Sequence, residues 1–166
     1  MGKSLETSKG SVWPLFLTAH AVLAEKIEAR LAAGGLPPLA WYDVLWALER
    51  APRERRRMSE LAERVVLSRS NLTRLVDRLE EAGFVARERS KDDRRGAYAV
   101  LTASGRDARR RMWPTYQAAI RELFESHLAE AEAAVLGTFL RRVLSSARAG
   151  GTTALPSAKA RTRASS

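Results

Sequence analysis

ELAERVVLSRSNLTRLVDRLEEAGF, residues 60–84, decides the fold, because two helical apolar periods flank a break just long enough for a tight turn. Leu61, Ala62 and Val65 share one face, and Leu72, Leu75, Val76 and Leu79 share another. Between them stands Val66-Leu67-Ser68, where the Ser68 hydroxyl is able to accept an orphan backbone N–H at the start of the second helix. Gly83 suits the position after a helix that needs positive φ. The pattern predicts a second helix from about Arg69 to Ala82, preceded by a shorter one.

Downstream, the period shortens to two. FVARERS (84–90) and AYAVLT (97–102) carry β-prone residues at alternate positions, and Lys91-Asp92-Asp93-Arg94-Arg95-Gly96 reads as the polar connection of a hairpin. Two short helices, a tight turn and then a hairpin form a winged helix-turn-helix.

Outward from this unit the chain is helical. Leu15, Phe16, Ala19, Val22, Leu23, Ile27 and Leu31 predict a helix over roughly 12–33, stopped by Gly34-Gly35 and Pro37-Pro38. LAWYDVLWALER predicts another over about 39–50, ended by Pro52. After Thr102 a long apolar period runs through Met112, Trp113, Tyr116, Ile120, Leu123 and Phe124, with Pro114 as an expected kink. A last helix runs through Ala134, Val135, Phe139, Leu140, Val143 and Leu144. The expected class is mainly α with a small β-hairpin wing.

Composition narrows the function. A chain of 166 residues accommodates one domain with a substantial core. With 29 Lys plus Arg against 19 Asp plus Glu, the formal charge of +10 favours a polyanionic partner, nucleic acid first. The absence of cysteine excludes disulfides and thiolate metal sites. His20 and His127 lie on different predicted helices, so no metal site is expected. No apolar run has the length of a signal peptide or a membrane span, so a soluble cytoplasmic protein without a membrane partner is expected. Neither GxSxG, a P-loop, HExxH nor a glycine-rich dinucleotide turn occurs, and the expectation is a protein that is not an enzyme and needs no cofactor.

The second helix of the pair offers polar groups suited to double-stranded DNA. Arg69, Ser70, Asn71, Thr73, Arg74 and Arg78 lie off its apolar face. Arginine donates bidentately to guanine, asparagine both donates to and accepts from adenine, and the hydroxyls of Ser68, Ser70 and Thr73 suit phosphate oxygens. Arg94 and Arg95 at the hairpin tip would then lie beside the duplex, where a narrow minor groove attracts arginine, with Asp93 orienting Arg95. Taken alone, the helix also reads as an ordinary amphipathic one with a solvated face; the basic hairpin favours DNA.

The run from Leu61 to Gly105 resembles the DNA-binding segment of the MarR family of bacterial regulators. The marks are Glu60-Leu61-Ala62, Ser68 leading the recognition helix, Leu79 to Gly83, Asp93-Arg94-Arg95 and Leu101-Thr102, and with the flanking helices the resemblance covers about 12–147. It implies a homodimer joined through its N- and C-terminal helices, which would place two recognition helices on successive turns of a pseudo-palindromic operator. The expected organisation is a disordered 1–11, a dimerisation helix at 12–38, a DNA-binding lobe at 39–101, dimerisation helices at 102–147 and a basic disordered tail at 148–166. Wide apolar stripes on the terminal helices support dimerisation independently. The resemblance further implies transcriptional regulation, by repression in the family's habit, and release by a small aromatic or phenolic effector. Trp13, Phe16, His20, Trp41, Trp46, Met112 and Trp113, with Tyr42 and Tyr116, are the residues most able to line its pocket, although aromatics at helical spacing usually belong to cores.

One departure stands out. Where the family often caps the first helix of the pair with Ser or Thr, Arg55-Arg56-Arg57 stands here, and arginine accepts no N–H bond. Either Ser59 caps a later start or the helix end frays, and the arginines read equally as phosphate contacts or as a solvated loop. The rival function is a sequence-indifferent, nucleoid-type DNA binder with the same fold and charge; a protein-binding winged helix is a third.

Overall fold

The computed structural model describes residues 9–65, 69–89 and 96–149, and the chain divides into two compact units, Met1–Glu125 and Ser126–Ser166. In the first, α1 (Lys9–Ala33) starts about a turn before the apolar pattern does and ends where expected. Gly35 at φ +63 closes it, with Leu36 N donating to Leu31 O and Gly35 N to Ala32 O, a paired bond set that satisfies the last carbonyls. Next comes α2 (Leu39–Glu49), whose first N–H, on Leu39, donates to the Glu28 carboxylate of α1. A short 3-10 turn, Pro52–Glu54, then leads into β1 (Arg55–Arg57).

That strand corrects the sequence reading. Arg55-Arg56-Arg57 form neither a frayed helix end nor a solvated loop, but pair antiparallel with β3 (Ala97–Leu101), which also pairs with β2 (Val85–Arg89). The sheet has three strands, ordered β1-β3-β2, where a two-stranded hairpin was expected. Tyr98 explains why three arginines tolerate a strand. The Arg55 guanidinium stacks on its ring at 4.3 Å, the Arg57 guanidinium lies 5.4 Å from it, and Arg57 Nε donates to its hydroxyl. Arg56 points the other way and donates to Ala47 O. Hence α3 (Met58–Arg64) begins directly after the strand with no side-chain cap, and Ser59 does not serve as one.

Helix α4 (Arg69–Glu81) matches its predicted bounds to within a residue. It ends as the sequence implies, with Gly83 at φ +73, Phe84 N donating to Leu79 O and Gly83 N to Glu80 O. One core unites the lobe: Val44, Leu45 and Leu48 from α2, Leu61 and Val65 from α3, Leu72, Leu75, Val76 and Leu79 from α4, and Val85, Ala99 and Leu101 from the sheet. Each fully buried aliphatic side chain contributes about 1.5–3 kcal/mol relative to exposure, so these interlocking faces hold α4 firmly.

Helix α5 (Ala103–Leu123) runs unbroken through Pro114. Thr102 caps it, accepting from Gly105 N at 3.0 Å while donating to Gly83 O at 2.7 Å, so one hydroxyl joins the helix start to the base of the wing. Farther along, Met112 packs with Leu31 and Tyr42 in a second buried cluster between α1, α2 and α5. In the second unit, α6 (Glu130–Ala149) is closed at its start by Ala129 N donating to the Glu132 carboxylate. Among the described residues no helix is long and apolar enough to cross a membrane.

Candidate nucleic-acid interface

The same period that buries Leu72, Leu75, Val76 and Leu79 turns Asn71, Thr73, Arg74 and Arg78 outward, and all four are exposed. Asn71, Arg74, Asp77 and Arg78 line a shallow depression of about 480 Å³ on that face. Among the described residues no ion pair holds Arg74 or Arg78. Their charge is available to an incoming anion, and an α-helix bearing such side chains fits the major groove of B-DNA.

The acid in that depression is already occupied. Arg87 on β2 lies 2.5 Å from Asp77 Oδ1 and 3.6 Å from Glu80 Oε2, and it also reaches the Thr73 carbonyl. Its backbone N–H donates to Glu80. The arginine thus pairs with Asp77 and Glu80 and braces the helix against the wing. Sequence reasoning missed this group, though two carboxylates three residues apart just before a strand bearing an arginine were a usable signal.

Of the other residues expected at the interface, Ser68, Arg94 and Arg95, together with Asp93, lie outside the described residues. Arg69 and Ser70 form the first turn of α4, with their side chains outside the described part.

The residues expected to line an effector pocket fall in separate places. Trp13 and Phe16 stack on each other at 6.0 Å on the exposed N-terminal half of α1, where His20 is also exposed. Trp41 meets Phe84 edge-on against the lobe core, and Trp46 is exposed with Arg50 stacked over it. Met112 is fully buried, so its volume goes to packing. Trp113 stands beside the same cluster, 6.0 Å from Tyr42 and 6.1 Å from Tyr116, so four residues of the expected set come together there. Burial pushes both tyrosine phenols up from their usual range. Among the described residues no three acidic or histidine side chains gather to hold a metal ion.

Close by, Asp43 on α2 is open to solvent on one side, yet the protein around its carboxyl withdraws it from bulk water and the Glu28 carboxylate repels it. Its pKa is pushed up to about 6. The folded chain therefore binds this proton more tightly than the unfolded chain. The stability this supplies is complete below the ordinary value of 3.8 and is lost as pH rises through about 6. Asp43→Asn is expected to raise the free energy of unfolding more at pH 7.5 than at pH 5, by about 1 kcal/mol once solvent screening on the open side is allowed for. Equal gains at both pH values in thermal unfolding would refute this assignment.

Three comparisons with known proteins bear on this arrangement. A family model described as MarR family matches residues 34–96. Among solved structures, AbsC, a MarR family transcriptional regulator of Streptomyces coelicolor, is 30% identical with a TM-score of 0.78, over 89% of this chain and 99% of that one. Sco3205, a MarR family transcriptional regulator of the same organism solved in complex with DNA, is 32% identical with a TM-score of 0.76, over 86% of this chain and 89% of that one. Among curated proteins, the transcriptional repressor MprA of Escherichia coli is 34% identical over 87 residues, which are 52% of this chain and 49% of MprA. The chain spans about a third to a half of the length of the curated relatives it matches.

Proposed function

The chain belongs to the MarR family of transcriptional regulators, and on that premise we propose that it is a sequence-specific repressor that grips a pseudo-palindromic DNA operator as a homodimer. The observation that carries this reading is the polar face of α4. It presents Asn71, Thr73, Arg74 and Arg78 to solvent on a helix whose other side is locked into the core, and its neighbouring acid is neutralised by Arg87. In this reading Ser68, Arg69 and Ser70 join that face at the groove, while Arg94 and Arg95 reach the adjacent minor groove. Sco3205, the similar regulator solved with DNA, supports the partner, and MprA supports repression.

A second copy is the occupant proposed for the apolar surface that each unit leaves open. On α1, Val12, Trp13, Leu15, Phe16 and Leu17 are all exposed, and on α6 so are Val135, Phe139, Val143 and Leu144. A helix apolar on most sides is normally covered. A small aromatic effector is proposed to release the operator by packing against the partly exposed rings of Trp113 and Tyr116. It acts only to the extent that it prefers one arrangement of the dimer over the other.

Competition at fixed salt tests this function against a sequence-indifferent one. A duplex enriched by the protein itself should be bound at least about a thousandfold more tightly than random duplex, and salicylate-like acids should lower that preference. Equal binding to both duplexes would instead favour the nucleoid-type alternative.

A further inference from the structure

We infer that Arg106 and Arg109 of α5 are positioning residues that set the angle at which the winged lobe is turned about that helix, and so where α4 stands relative to α1. The inference rests on the reading of α4 as the element that enters DNA.

Helix α5 takes part in two sets of contacts. Its middle and last turns hold α1, where Leu31 packs with Met112 and Arg30 donates to both Glu122 oxygens at 2.9 and 2.7 Å. Its first turns hold the lobe. On the wing side the attachment is Thr102 and the close seat of Gly105 on the Phe84 carbonyl. On the α2 side it is a pair of arginine–carboxylate contacts. Arg106 Nε donates to Glu54 Oε1 at 3.0 Å, and its Nη2 reaches Glu54 Oε2. Arg109 Nε lies 2.5 Å from Glu49 Oε2, a close ion contact without hydrogen-bond alignment, while Nη1 donates to the Tyr42 hydroxyl at 3.4 Å.

Three residues apart, the two arginines lie on one face of α5 and grip both ends of the corner that carries α2 into β1. That corner is unusual, since Arg53 and Glu54 both adopt the left-handed conformation, at φ +55 and +52, and neither is glycine. Such a backbone persists where its surroundings hold it. Here it aims the Glu54 carboxylate at α5. Apolar packing beneath the corner is non-directional and accounts for adhesion, whereas the planar Arg106 guanidinium meeting both Glu54 oxygens is directional, and Arg109 adds a close charge contact at the other end of the corner. The Arg109 and Glu49 side chains are only 16% and 22% exposed, so this pair is largely sheltered from solvent. Because α5 is one unbroken helix from the lobe to α1, the angle fixed here becomes the separation of two α4 helices in the proposed dimer.

The test measures spacing tolerance. The full chain is titrated with duplexes carrying the selected half-site twice, at the enriched separation and at separations shifted by about one and two base pairs from one helical turn. Wild-type protein should lose at least tenfold per base pair of shift. Arg106→Gln/Arg109→Gln should lose less than threefold, keeping its helical content and oligomeric state, while Arg110→Gln, an exposed neighbour, should behave as wild type. The exchange Glu54→Arg/Arg106→Glu rebuilds one pair and should restore much of the discrimination even if the double glutamine variant folds poorly. Discrimination unchanged in a folded Arg106→Gln or double glutamine variant, or absent from a folded exchange variant, overturns the inference. A wild-type protein without preference for any duplex instead overturns the DNA reading on which it rests.

Discussion

Gly105→Ala is expected to destabilise the fold by about 3 kcal/mol, with the sign opposite to that of an ordinary helix. In a solvated helix interior the same change stabilises by about 0.8–1.0 kcal/mol, because alanine loses less conformational freedom. At Gly105 an added Cβ would stand 2.1 Å from the Phe84 carbonyl oxygen and 2.9 Å from its carbon, both backbone atoms. Relief requires moving the start of α5 away from the wing base, against the bonds from the Thr102 hydroxyl to Gly83 O and from Thr102 N to Phe84 O. Overpacking of this kind costs about 1–3 kcal/mol, occasionally more, and the backbone nature of the obstacle argues for the upper end. Urea unfolding of the variant beside Ser104→Ala, an exposed position in the same turn, measures it. A stability equal to or above wild type would show that α5 does not rest on the wing base.

The second large effect is on binding. Arg74→Ala and Arg78→Ala are expected to cost about 1–3 kcal/mol each in operator affinity, with relaxed specificity at the contacted bases. Their removal should leave thermal stability nearly unchanged, since both side chains are exposed and no ion pair holds them among the described residues. Arg110→Ala/Arg111→Ala removes the same charge from exposed positions on α5. If affinity falls as much in that variant as in Arg74→Ala/Arg78→Ala, net charge rather than the α4 face governs binding.

Much of this arrangement is legible in the chain because its signals are local. The bounds of α4 follow from Leu72 to Leu79 and from Gly83, whose positive φ closes the helix as expected. The polar face follows from the same period read on its other side. What escaped depends on contacts distant in sequence. Arg55-Arg56-Arg57 carries no β pattern of its own and becomes a strand through β3, with Tyr98 receiving two guanidinium groups from across the sheet. Gly105 looks like an ordinary small residue until Phe84, 21 positions earlier, is placed against it. The contacts from Arg106 to Glu54 and from Arg109 to Glu49 span 52 and 60 residues. The aromatic residues are less legible, since residue type alone does not say that Trp41 packs against the lobe core while Met112 joins Leu31 and Tyr42 in the second cluster.

The proposal that the α4 face reads DNA in a two-fold dimer is tested most directly by selecting bound sequences from a random duplex pool. The expected result is an inverted repeat whose half-sites lie about one helical turn, roughly 34–36 Å, apart. Recovery of unenriched sequence, or of a single asymmetric motif, would contradict it.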